Sequence, residues 1–114
     1  MGYVYYGNYA QYFEVARVEA LRAMGMSYKE MEDQGILLPV VDFHVRYFKP
    51  AYYDDELLIK TCIKEIPSTK IKFYNETYNT DGELLNKAEV ILVFVNQKTG
   101  KPCKAPDSFL KLFT

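Results

Sequence analysis

Asn8-Tyr-Ala-Gln-Tyr-Phe-Glu-Val-Ala-Arg-Val-Glu-Ala-Leu-Arg-Ala-Met-Gly25 is the stretch that decides the architecture. Tyr9, Phe13, Ala16, Ala20 and Met24 recur at intervals of three or four, which is one face of an α-helix. Asn8 suits the N-cap, and Gln11 follows at capping-box spacing. Gly25 suits the position just past the last turn. Glu14, Arg17, Glu19 and Arg22 are expected on the other faces. The small side chains of Ala16, Ala20 and Ala23 would let this helix lie close against something flat, such as a sheet.

Downstream, Ser27 and Glu30 form a second capping box, and Gly35 ends a short helix. The period then changes to two. Val41, Phe43, Val45 and Tyr47 alternate with Asp42, His44 and Arg46, which predicts a half-buried strand. A loop over 49–55 follows. A strand over Glu56–Ile66 carries Leu57, Ile59 and Ile63 on one face, and Pro67-Ser68-Thr69 turns the chain. A strand over Lys70–Asn79 sets Ile71 and Phe73 against Tyr74 and Tyr78, and Thr80-Asp81-Gly82 is a hairpin signal. In the last strand, over Leu84–Asn96, the run Val90-Ile-Leu-Val-Phe-Val95 suggests burial on both faces. Residues 97–102 turn again, and Phe109–Phe113 reads as a short packed terminal segment. Short turns between strands imply an antiparallel sheet, so the fold class is α+β in two layers.

The 114 residues make one domain, spanning 1–114. With 15 acidic and 14 basic side chains, no positive excess supports a nucleic-acid partner. No run approaches the roughly 20 apolar residues of a membrane span. Cys62 and Cys103 fall short of a four-ligand zinc site and read as reduced thiols. No signal-peptide pattern opens the chain, so the expected location is cytoplasmic. Neither a metal nor a cofactor is expected. An exposed aromatic sheet face and open edges favour self-association.

Phosphate-loop, dinucleotide, zinc-protease and nucleophile-elbow motifs are absent from the sequence. His44, the one histidine, is a mid-strand surface residue or else a general base. The Asp54-Asp55-Glu56 run is more often a solvated turn than a cation site. Glu14 is either a helix-face carboxylate or an acid or base facing a cleft. Tyr5-Tyr6-Gly7-Asn8-Tyr9 leads into a helix N-terminus, whose unpaired N–H groups can polarise a carbonyl.

Four motifs carry a resemblance that runs from Gly2 to about Pro106. They are Gly2–Tyr9, Tyr12-Phe-Glu-Val-Ala-Arg17, Gly35-Ile-Leu-Leu-Pro-Val-Val41 and Arg46-Tyr-Phe-Lys-Pro-Ala-Tyr-Tyr-Asp-Asp55. In this order and spacing they resemble the hotdog-fold acyl-CoA thioesterases, in the subgroup of 4-hydroxybenzoyl-CoA thioesterase and YbgC-like proteins. The resemblance implies a long helix wrapped by a curved antiparallel sheet, with the family's first strand missing. It implies hydrolysis of acyl-CoA to free acid and CoA by a homodimer or homotetramer with sites at subunit interfaces.

By the same resemblance, backbone N–H groups at Tyr6 and Gly7 hold the thioester carbonyl. Tyr6 stands where YbgC-like proteins have His and the hydroxybenzoyl branch has Tyr. The family's catalytic Asp falls upstream of Met1, so the chain as given is expected to be impaired, with Glu14 a weak substitute. Tyr5, Tyr9, Val40 and Val41 are expected to line the acyl pocket. Lys70, with Lys64 and Lys72, is expected at the CoA phosphates. Two other readings stand beside hydrolysis. One is a non-catalytic hotdog module that binds acyl-CoA or acyl carrier protein. The other is a dehydratase, which His44 on a strand does not favour.

Overall fold

Tyr9, Phe13, Arg17 and Leu21, each four residues from the next, form the buried stripe of the first helix. The computed structural model describes residues 6–52 and 55–113, with side chains from residue 9 onward. Helix α1 spans Tyr6–Ala23 and α2 spans Tyr28–Asp33. The strands are β1 Ile36–Leu37, β2 Val40–Tyr47, β3 Leu58–Cys62, β4 Lys70–Tyr78, β5 Leu84–Val93 and β6 Val95–Asn96. A short helix α3, Asp107–Leu110, and a 3-10 turn, Lys111–Phe113, end the described chain.

The stripe corrects the Ala-lined face expected from the sequence. Ala16, Ala20 and Met24 are only partly covered, on the flank of the buried row. Arg17, expected outward, is 6% exposed. The helix also starts at Tyr6, so Asn8 lies inside the first turn and is not its cap. First-turn N–H groups need no acceptor within the helix, so Tyr6 and Gly7 join it without losing a bond.

The C-terminal end follows expectation. Gly25 has φ 90°. Its N–H donates to Arg22 O at 2.9 Å, and Met26 N–H donates to Leu21 O at 3.0 Å. These are the two bonds of a Schellman cap, and Met26 and Leu21 pack in the same core. Ser27 Oγ then accepts from Glu30 N–H at 3.1 Å and starts α2. Gly35, at φ 82°, ends that helix.

The main sheet has the order β2-β5-β4-β3, antiparallel throughout. The link between β2 and β3 therefore crosses the whole sheet, leaving β2 and β3 as its two edges. Strands β1 and β6 form a small separate ladder. Only Leu58–Cys62 of the expected 56–66 strand finds a partner, opposite Tyr78–Tyr74. The β4–β5 hairpin closes at Gly82, φ 80°, with Asn79 Oδ1 accepting from Asp81 and Glu83 N–H.

Helix α1 lies on one face of the sheet. Ile71, Phe73, Val90, Leu92 and Phe94 pack there with Leu21, Met31 and Phe109. Tyr9 and Phe13 pack with Ala51, Leu85 and Ala88. Asn75, Thr77 and Asn86 extend the buried face as a polar row. Phe109 is fully buried, as the packed terminal segment required.

Two strands differ from expectation. β5 is fully buried on the helix side only, because its other face is the open side of the sheet. β2, expected half-buried, is exposed along nearly its whole length because it is an edge. A bulge at Val41 shifts the register, so Val40 opposes Leu92 and Asp42 opposes Ile91.

Candidate active-site groove

Glu14 and Arg17, one turn apart on α1, face a groove of about 450 Å³. Tyr28 and Glu32 of α2 form its second side, and Ile36, Leu37, Leu38, Val40 and Leu92 its apolar walls. The local sequence explains this arrangement. The Gly25 cap ends α1, and α2 after it brings Tyr28 and Glu32 to the groove that Glu14 and Arg17 face. Gly35 then turns it again, so the 36–40 segment closes the groove against β5. Glu14 and Glu32 are exposed, whereas Arg17 is buried and Tyr28 half-buried. Burial pushes the Tyr28 phenol above its ordinary range, while the adjacent Arg17 guanidinium pulls the other way.

Two residues singled out in the sequence, Glu14 and Val40, meet in this groove. Val41 is next to it on the bulge and 54% exposed. Tyr6 and Gly7 occupy the first two positions of α1. There the backbone N–H groups have no helical acceptor. The rise from Tyr6 to Glu14 is roughly 12 Å, at about 1.5 Å per residue. A single chain therefore does not set Glu14 and these donors on one carbonyl.

Tyr9 belongs to the core rather than the groove. It is 2% exposed, with its ring centroid 5.8 Å from that of Phe13. Burial, then the neighbouring Tyr47, raises its phenol pKa. Lys70 opens β4 opposite Val93 and does not line the groove. Tyr5 lies outside the described residues.

The open face of the sheet carries charge of both signs. His44 Nδ1 is 3.3 Å from Asp42 Oδ2 and its Nε2 is 2.7 Å from Glu89 Oε2. Lys72 Nζ is 3.3 Å from Glu89 Oε1. Both ring nitrogens of His44 are thus engaged by carboxylates, which leaves neither free to serve a substrate as base. Asp55 Oδ2 accepts from Tyr52 N–H at 3.0 Å, as a turn residue does. Cys62 and Cys103 are both free. Among the described residues no helix is long and apolar enough to cross a membrane.

Arg17, Tyr28 and Glu32 were not singled out from the sequence. A signal for Arg17 was present: the four-residue spacing from Tyr9 and Phe13 to Leu21 runs through it.

The sequence pattern of the thioesterase-like superfamily matches residues 1–113. This chain belongs to that superfamily. The acyl-CoA thioester hydrolase YbgC of Escherichia coli is 34% identical over 112 residues, or 98% of this chain and 84% of YbgC. The thioesterase-like chain also superposes on DHNA-CoA thioesterase from Staphylococcus aureus. That match has a TM-score of 0.91 and 33% identity, over 99% of this chain and 78% of the other. A 4-hydroxybenzoyl-CoA thioesterase mutant, crystallised with 4-hydroxybenzoyl-CoA, gives a TM-score of 0.85 at 25% identity. It is matched over 87% of its length by 99% of this chain. The α+β architecture of this thioesterase-like chain is therefore the hotdog fold.

Proposed function

We propose that this chain hydrolyses acyl-CoA thioesters to free acid and CoA. The observation that carries the reading is the placement of Glu14, an exposed carboxylate, at an apolar-walled groove. The kinship with named acyl-CoA thioester hydrolases supports it. In this reading the acyl group lies along Ile36–Val40, with Val41 extending the wall. The Tyr6 and Gly7 N–H groups donate to the thioester oxygen as negative charge develops on it. Glu14 takes the proton of an attacking water or adds to the carbonyl itself. On the first path the C–S bond then breaks and Glu14 hands the proton to sulfur, so CoA leaves as its thiol. On the second, CoA leaves as thiolate, and water hydrolyses the acyl-Glu14 anhydride, protonating the thiolate and releasing the acid.

Because Glu14 and the helix N-terminus are two turns apart, the working unit is a homodimer. One protomer supplies the donors and its partner the carboxylate. The exposed edge β2 is the surface that fits this, with Val40 47% and Val41 54% exposed. Two such dimers would make the tetramer. Lys70 with Lys72 meets the CoA phosphates in the assembled form. In this reading turnover rests on Glu14. The proposal places this action in the cytoplasm.

The test is free-thiol release from short, long and aromatic acyl-CoA substrates, with Glu14→Gln alongside. Turnover that falls roughly 10²-fold or more in Glu14→Gln supports the assignment. Unchanged turnover removes Glu14 from the mechanism. A folded chain that binds a non-hydrolysable acyl-CoA analogue but hydrolyses nothing would be the binding module instead.

A further inference from the structure

Arg17 is a buried cation without an anion among the described residues. Its Nε is sealed from solvent and has no partner among the described residues. Arg22, His44, Lys49, Lys72 and Lys87 each meet a carboxylate among the described residues, and Arg17 does not. Glu14 and Glu32 line the same groove but stay exposed at its rim, out of ion-pair reach of the guanidinium. The Tyr28 hydroxyl is buried beside it and has the Arg17 guanidinium as its polar neighbour. Burying a charge is costly unless it is paired, and a buried hydroxyl needs a hydrogen bond. A buried guanidinium left without an anion, at the wall of an open groove, points to an anionic ligand.

We propose that Arg17 and Tyr28 are the anion anchor of the groove, and that its acyl thioesters carry a carboxylate at the end remote from the thioester. This substrate class rests on the thioesterase reading above. The carboxylate accepts charge-assisted bonds from the guanidinium edge that Arg17 turns to the groove, with the Tyr28 hydroxyl beside it. Ile36, Leu37, Leu38 and Val40 take the methylenes between the two ends. Glu14 and Arg17 are about 4.5 Å apart along the helix axis, so the spacer is short, a few methylenes. The rim carboxylates face water and are screened, so they do not cancel the anchor.

Calorimetry with two non-hydrolysable thioether analogues of equal length, glutaryl-CoA and pentanoyl-CoA, tests this. The carboxylate form is expected to bind roughly tenfold tighter or more. Arg17→Met removes that preference, so that the two analogues bind this variant alike. It removes an unpaired buried charge, so the variant is expected to fold at least as stably. Tyr28→Phe is the milder second variant and narrows the same preference.

Equal binding of the two analogues by the unmodified chain, or a preference that survives Arg17→Met, overturns the anchor and leaves the thioesterase reading intact. Free glutarate separates the two ideas when neither analogue binds. If it raises the melting temperature of the chain but not of Arg17→Met, the anchor stands and the CoA reading falls. If it raises neither, the anchor falls too.

Discussion

The ring of Phe13 lies 6.0 Å from the ring of Phe43, centroid to centroid, and joins the long helix to the edge strand. Phe13 is fully buried, while Phe43 keeps 38% of its surface exposed. The pair therefore spans core and surface. Phe13→Ala removes a ring from a packed site and is expected to cost about 3–5 kcal/mol. Urea denaturation measures it. A loss under about 1 kcal/mol would show that α1 is held by something other than this contact.

Edge strand β2 gives a prediction about assembly. Val41 sits on the bulge with more than half of its surface exposed. Val41→Lys puts a charge where a second copy is proposed to pair, and charge on an edge opposes pairing. Light scattering is expected to report twice the chain mass of 13.3 kDa for the parent and the chain mass for the variant. Turnover should fall with the dimer. A parent that is monomeric and fully active contradicts the shared site.

Thr77 is fully buried, and its hydroxyl has no partner among the described residues. Valine has nearly the same shape without the oxygen. Thr77→Val is thus expected to raise stability by about 1 kcal/mol, the lower end of the cost of an unmet buried group. A lower denaturation midpoint would reveal a partner for the hydroxyl, such as a buried water.

Tyr9 sets an alkaline limit. Its phenol is raised above the ordinary 10.0 by burial, then by Tyr47. The folded state thus holds the proton more tightly than the unfolded one. The associated stability is fully present below pH 10.0 and is lost as pH rises through the higher folded value. Tyr9→Phe keeps the packing on Phe13 and removes the titration. The variant should lose less stability than the parent between about pH 9 and about pH 11 in urea midpoints. Tyr28 is raised in the same direction and keeps part of the slope in both proteins.

Local signals carried most of the fold. The Gly25 and Gly35 stops, the Ser27 cap and the Gly82 hairpin are each written in a few neighbouring residues, and each stands where it was expected. The antiparallel sheet followed from short connections. Arg17 was misplaced because a charge is ordinarily sorted to the outside, although its spacing set it on the buried stripe. The exposure of β2 was hidden because alternation shows which face is apolar, not whether another element covers it. Glu14 and Val40 were legible as site residues through motif resemblance. Their partners Tyr28 and Glu32 were not, because the meeting of side chains from α1 and α2 at one groove is a tertiary event.

The groove has a further property that follows from its path along the chain. Every lining residue from Glu14 to Val40 belongs to one unbroken stretch, and only Leu92 comes from elsewhere. The stretch enters and leaves beside the sheet without supplying any of its interior strands. A graft of this single segment between relatives would carry all of the lining except Leu92. Substrate preference is in this sense a removable cassette, free to diverge while the strands beneath it stay the same.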